Sequence, residues 1–305
     1  MRPIGRVVFS VSPKTPGEDT GSLGRNSVRR FVANLTEGAR QPDSAVNPLT
    51  RLLYYLYEHR LTRHVQRLQI PRHIGIILDG NRRYGERHGF YDPQQIYGLG
   101  ARKLDDVLNW CAELGVPAVT LWVFSTDNLY RPVDQVSGIL AAIEGKLRTL
   151  AHDPQIHRRR VRVQAIGRLE VLPGSLVAAI RAAREATASY DGMILTLAVA
   201  YGGREEIADA VRALLYEQAK RGLALADAIP EITPSAIGRH LYMAGSPDPD
   251  LIIRTSGEIR LSGFLLWQSA YSEFYFCDIP WPAFRKIDFL RAIRDYQQRK
   301  RRFGK

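Results

Sequence analysis

Three stretches of this 305-residue chain gather the side chains from which anion and metal chemistry is built. The first, Asp79-Gly80-Asn81-Arg82-Arg83-Tyr84, offers a carboxylate, a glycine through which backbone N–H groups can approach a ligand, an amide and two guanidinium groups. The second, Ser125-Thr126-Asp127-Asn128-Leu129-Tyr130-Arg131-Pro132, brings hydroxyls, an amide and another arginine. The third, Arg254-Thr255-Ser256-Gly257-Glu258-Ile259-Arg260-Leu261-Ser262-Gly263, repeats that inventory. Arginine forks match phosphate oxygens, and a hard divalent cation on a carboxylate offsets further negative charge. The first stretch alone reads equally well as a tight turn with solvated arginines. The recurrence of one inventory three times points to a site for a metal-bound diphosphate.

Each stretch follows a short run rich in β-branched residues. Such runs at 74–78, 118–124, 161–166, 194–200 and 250–254 alternate with longer helical segments. The alternation predicts βαβ units, hence an α/β fold with an open parallel sheet covered on both faces. Ligands in such sheets bind beyond the carboxyl ends of the strands, where the three stretches fall.

Upstream, residues 47–70 set Leu52, Leu53, Leu56, Leu61, Val65 and Leu68 among Arg51, Arg60, Arg63 and Arg67, an amphipathic basic helix. It reads as a helix packed on the domain, with a helix lying on a membrane surface as the alternative. Residues 1–46, rich in Arg, Gly, Ser and Pro without a period, read as a disordered basic extension. The formal net charge of +12 is concentrated at the ends, +6 over 1–70 and +7 over 285–305, which leaves −1 for the body. That distribution argues against a nucleic-acid-reading domain and for terminal segments that meet lipid headgroups or a diphosphate. Cys111 and Cys277 form no metal or disulfide pattern, so a reduced, cytoplasmic setting is expected. The longest apolar runs fall far short of the roughly 18 residues of a membrane span, and residues 1–12 carry no secretory leader pattern.

Competing motifs fail. There is no GxxxxGK[ST] loop, HExxH or GxSxG, and Gly98-Leu99-Gly100 lacks the third glycine of a dinucleotide fingerprint. Asp105-Asp106-Val107-Leu108-Asn109 ends in Asn where a DDxxD metal box needs Asp, and Leu104, Leu108 and Cys111 mark a buried helical face, so the run reads as structural.

The run over 73–89, HIGIILDGNRRYGERHG, resembles the signature of the cis-prenyltransferases, HxxxxMDGNxRWAxxxG. Residues 124–132, FSTDNLYRP, are similar to that family's FSxENWxRP, and 248–273, DPDLIIRTSGEIRLSGFLLWQSAYSE, to its third motif. The resemblance covers about His73 to Gly304 and is greatest to the short-chain (2Z,6E)-farnesyl diphosphate synthases. It implies an elongated hydrophobic tunnel, walled by the helix over 133–150, a homodimer, and Mg²⁺-dependent condensation of isopentenyl diphosphate with an allylic diphosphate. By position, Asp79 and Asn128 would be catalytic, with Asp79 and Glu273 on the metal. Gly80, Asn81, Arg82, Arg83, Tyr84 and Arg131 would bind the allylic diphosphate. Arg254, Arg260, Ser262 and the terminal Arg302 and Gly304 would bind isopentenyl diphosphate, the last two across the dimer. Against the family pattern, Tyr84 replaces Trp, Arg82 a frequent Gly and Asp127 a Glu, while Asp92-Pro93 and Tyr97 stand where long-chain members carry Arg and His. Three readings follow: a synthase of a C15 product, one of a long carrier-lipid precursor, and a non-catalytic partner subunit. The base that takes the final proton stays open between Asn128, a bound phosphate and water.

Overall fold

The computed structural model of the chain describes residues 48–299. The chain divides into two units, Met1–Tyr57 and Glu58–Lys305, and the division falls inside the first described helix, α1 (Pro48–Gln66). The extension over 1–46 lies outside the described residues, as do Arg302 and Gly304. Within the second unit, Leu61 and Val65 of α1 are buried and Gln297 donates to the Val65 carbonyl at 2.9 Å.

Six strands, β1 (His73–Ile77), β2 (Ala118–Ser125), β3 (Val161–Ile166), β4 (Met193–Tyr201), β5 (Leu251–Arg254) and β6 (Glu273–Phe276), form one sheet in the order β3-β4-β2-β1-β5-β6. Every pairing is parallel. The first five match the β-branched runs; β6 has no counterpart among them, because Glu-Phe-Tyr-Phe is a short, half-buried edge strand without a β-branched residue. β1 is buried along its whole length and β4 nearly so, as expected of strands covered on both faces.

The helices that follow are α2 (Asn81–Arg87), α3 (Pro93–Leu114), α4 (Val133–Leu150), α5 (Pro154–Arg158), α6 (Gly174–Thr187), α7 (Gly203–Lys220), α8 (Leu225–Ala228), α9 (Pro234–His240) and α10 (Lys286–Gln298). α3 packs on α4 and α4 on α6. Local chemistry delimits α3: the Asp92 carboxylate accepts from the N–H groups of Gln94 and Gln95, Pro93 opens the first turn, and Gly115 ends the helix at φ 72°. Its buried stripe includes Leu104, Leu108 and Cys111, as the sequence spacing required.

Ile77, Ala198, Tyr201, Ile252, Phe264 and Leu265 pack together in the core, where Trp122 stacks on Phe264 at a centroid distance of 5.4 Å. A fully buried Ile, Leu or Phe side chain contributes about 1.5–3 kcal/mol to the fold. The register sets Ile77 level with Trp122 on one side and with Arg254 on the other. The carboxyl ends of β2, β1 and β5 therefore open onto a single crevice, at the point where the chain departs from β1 toward β2 and later returns on its other side at β5. No helix among the described residues is long and apolar enough to cross a membrane.

Candidate active site

The crevice holds a cavity of about 610 Å³, whose lining takes side chains from all three polar stretches. At its mouth stand Asp79, Asn81, Arg82, Arg83, Asn128, Arg131, Arg254, Glu258, Arg260 and Ser262; deeper in, the lining is apolar, with Leu104, Leu121, Phe124, Ile139, Ile143 and Leu197. A polar mouth on an apolar interior is the shape that a hydrocarbon with an anionic head requires.

Asp79 follows β1 and is held from several sides. Its backbone N–H donates to the Thr255 hydroxyl at 2.9 Å, and that hydroxyl donates to the Asp79 carbonyl at 2.8 Å. One carboxylate oxygen accepts from the Gly80 N–H at 2.7 Å and the other from Arg254 Nη2 at 2.9 Å. The carboxylate keeps 30% of its surface open. Gly80 sits at φ 94°, and a Cβ there would stand 2.5 Å from Ser256 Oγ and 2.9 Å from Pro280, so both conformation and space demand glycine. Asn81 donates to the Leu78 carbonyl at 2.9 Å, while its own carbonyl oxygen is buried without a hydrogen-bond partner. A Cβ on Gly100 would collide with that oxygen.

Arg254, 5% exposed, ties two of the stretches together. Beyond Asp79 it donates to the Arg260 carbonyl and, at 2.8 Å, to Ser262 Oγ, which shapes a turn where Ser262 lies at φ 53° and Gly263 at φ 95°. Arg83 lies 3.7 Å from Asp79 and 3.5 Å from Glu258, and Glu258 is also ion-paired with Arg260. Arg131 donates to the Tyr97 hydroxyl at 3.4 Å.

Several sequence expectations change here. Tyr84 does not line the cavity: its ring stacks on His88 one turn along α2, at a centroid distance of 4.0 Å. Glu273 is not brought to Asp79 within this chain. It pairs with Leu251 at the start of β5, three residues and about 10 Å from Arg254, and it accepts from Arg299 at 2.9 Å. Asn128 lines the cavity, but its carbonyl oxygen accepts from the Ser125 N–H at 3.1 Å while its own N–H donates to Ser125 Oγ at 3.2 Å. That reciprocal cap commits the oxygen and leaves the amide NH₂ as the group to offer a phosphate. Sequence reasoning assigned no role to Glu258, Tyr97 or Lys146, which also line the cavity. Glu258 had a signal, a carboxylate two residues from Arg260, and Tyr97 had its place where long-chain members carry Arg and His; Lys146 had none.

Residues 77–304 match the undecaprenyl diphosphate synthase (Prenyltransf) family. The chain is 51% identical to the isoprenyl transferase of Deinococcus radiodurans over 90% of this chain and 100% of that one. It is 50% identical to the (2Z,6E)-farnesyl diphosphate synthase of Thermobifida fusca, over 83% of this chain and 97% of that one. Among solved structures, lavandulyl diphosphate synthase from Lavandula x intermedia, in complex with dimethylallyl diphosphate, is similar with a TM-score of 0.70 and 32% identity, over 77% of this chain and 99% of that one. The chain belongs to the undecaprenyl diphosphate synthase family, the cis-prenyltransferases, enzymes that join isopentenyl diphosphate to an allylic diphosphate.

Proposed function

We propose that the chain condenses isopentenyl diphosphate with geranyl diphosphate to (2Z,6E)-farnesyl diphosphate, releasing diphosphate. What supports a short product is the likeness to the (2Z,6E)-farnesyl diphosphate synthase of Thermobifida fusca, 50% identical over 97% of that chain, together with a cavity of about 610 Å³. The long-chain alternative draws on Gly100, Ala101 and Ala142 in the same lining, whose small side chains leave width. A non-catalytic subunit would have no use for the Asp79, Arg83, Arg131, Arg254 and Arg260 set.

Two multiply charged diphosphates must lie close together, and their repulsion has to be offset by forks and dipoles already in place. Arg83 and Arg131 would hold the allylic diphosphate, Arg260 and Ser262 that of isopentenyl diphosphate. Arg254 would set the spacing between the two pockets, since its one guanidinium bonds Asp79 on one side and the Arg260–Ser262 turn on the other. The donor chemistry fits Mg²⁺: no cluster of three metal-ligating side chains exists among the described residues, but the exposed part of Asp79 is one hard carboxylate, and Mg²⁺ takes one or two carboxylates together with substrate phosphates. Bound there by Asp79, it would neutralise charge on the departing diphosphate. The apolar interior would take the allylic tail and exclude water from the electron-poor carbon. With the Asn128 carbonyl oxygen committed to Ser125, a phosphate oxygen or water is left to take the final proton. A cytoplasmic homodimer, with Arg302 and Gly304 serving the partner's pocket, belongs to the same proposal.

The test is to incubate the purified protein with labelled isopentenyl diphosphate, Mg²⁺ and each allylic primer in turn, then size the products. C15 from geranyl diphosphate is expected; C50 or longer would replace the short-chain reading, and no turnover with any primer would overturn the enzyme reading. Asp79→Ala should lower kcat about 10³-fold or more in a folded protein, the scale of such electrostatic contributions.

A further inference from the structure

We propose that the Lys146–Asp105 ion pair is the stop that ends chain growth: a lysine set in the wall of the otherwise apolar interior of the cavity arrests the growing hydrocarbon. The inference rests on the short-chain reading above and names the residue that would enforce it.

α3 and α4 lie side by side with their first turns at the charged mouth. Gly138 of α4 abuts Pro93 and Gln94 of α3, and Arg131, just before α4, reaches Tyr97. From the mouth inward, α4 presents Ile139, Ala142, Ile143 and then Lys146 to the cavity, the i, i+3, i+4, i+7 stripe of one helical face. Lys146 is the last residue of that stripe, about 10 Å along the axis beyond Ile139. Its side chain is 11% exposed, and its ammonium pairs with Asp105 of α3, the residue after cavity-lining Leu104. The Asp105 carboxylate keeps 47% of its surface in water.

The ammonium is held by that half-exposed carboxylate and the solvent beside it. Hydrocarbon pushed past it would strip the ammonium of its remaining hydration without giving a hydrogen bond in return, which is strongly unfavourable. A short prenyl tail ends against Ile139, Ile143 and Leu104 and leaves the pair untouched; each further isoprene unit has to displace it. The chemistry at the diphosphates makes no use of Lys146, which stands at the other end of the apolar lining.

The test measures product length with labelled isopentenyl diphosphate and Mg²⁺ for the wild type, Lys146→Met and Lys146→Arg, with thermal melts to establish folding. Methionine keeps an unbranched apolar stem of similar reach and removes the charge, so its products are expected to run at least two isoprene units longer. Arginine keeps the charge and the wild-type length. A Lys146→Met product distribution equal to wild type would overturn the inference. Should Lys146→Met fail to fold, a primer series on the wild-type protein decides. kcat/KM is expected to fall about tenfold or more from the two-unit to the four-unit allylic primer, as a closed pocket discriminates, and equal use of both overturns the inference. Wild-type products of C50 or longer overturn it too. Absence of wild-type turnover with every primer instead removes the enzyme reading beneath it.

Discussion

Glu258 stands between two guanidinium groups that belong to different strand ends, 3.5 Å from Arg83 and ion-paired with Arg260. On the proposed reading, a carboxylate so placed would keep both forks poised at the mouth until phosphates replaced it, and would mark the boundary between the two diphosphate pockets. Both arginines are well exposed, so neither pair adds measurably to stability and their weight falls on binding. Arg260→Ala is therefore expected to raise KM for isopentenyl diphosphate about tenfold or more and to leave the allylic KM within a few-fold, with Arg83→Ala showing the reverse. Steady-state kinetics with each substrate varied in turn checks the split; equal effects of both variants on both substrates would mean one shared pocket.

At the scale of elements, α3 and α4, which both line the cavity, approach closely near their N-terminal ends. A Cβ on Gly138 would stand 2.6 Å from Pro93 Cβ, 3.0 Å from the Pro93 carbonyl carbon and 3.1 Å from the Gln94 nitrogen, and backbone atoms cannot yield as a flexible side chain can. Gly138→Ala should separate the helices and cost about 1–3 kcal/mol, the usual penalty of overpacking, read as a lower Tm together with a raised allylic KM. These helices also show what was legible from the chain. Five strands and the three polar strand ends announced themselves, because β-branched runs and clustered Asp, Asn and Arg are local patterns. The deeper lining was not legible. Lys146 and Asp105 lie 41 residues apart and meet only through helix packing, and Asp105 on its own read as part of a structural helix face. Tyr84 looked like a phosphate ligand by its neighbours in sequence, yet stacks on His88. Glu273, the proposed second metal ligand, begins a strand whose other end faces the site. Local pattern carries residue type to a strand end, and the sheet register then decides which of those residues share a cavity.

For the whole molecule, the central strand that delivers Asp79 begins at a titratable group with nowhere to place a charge. His73 is 1% exposed; its Nδ1 lies 2.7 Å from the Pro247 carbonyl and its Nε2 2.8 Å from the Thr120 hydroxyl. A neutral ring that donates from Nδ1 and accepts at Nε2 satisfies both. Burial holds its protonation below the ordinary histidine value of 6.5, against the Pro247 carbonyl and Asp250, which favour the cation. The folded chain thus binds the proton less readily than the unfolded one, so stability is complete above pH 6.5 and declines as pH falls from there toward the folded value. Asp209 adds a separate loss at lower pH: although burial opposes it, hydrogen bonds from Arg168 and Tyr242 hold its carboxyl below the usual range, so its contribution fades as pH drops through that depressed value. The two windows can be told apart by melting wild type and His73→Gln across the range from pH 8 down into the acid region below pH 4. Glutamine can still donate to Pro247 but fits the pair of partners less well, so the variant should be about 1–2 kcal/mol less stable at pH 8. Between pH 7 and pH 5 wild-type Tm should decline while that of His73→Gln stays level, and both should fall together below pH 4; a variant that declines in parallel with wild type between pH 7 and pH 5 would place the neutral-range acid sensitivity on another group.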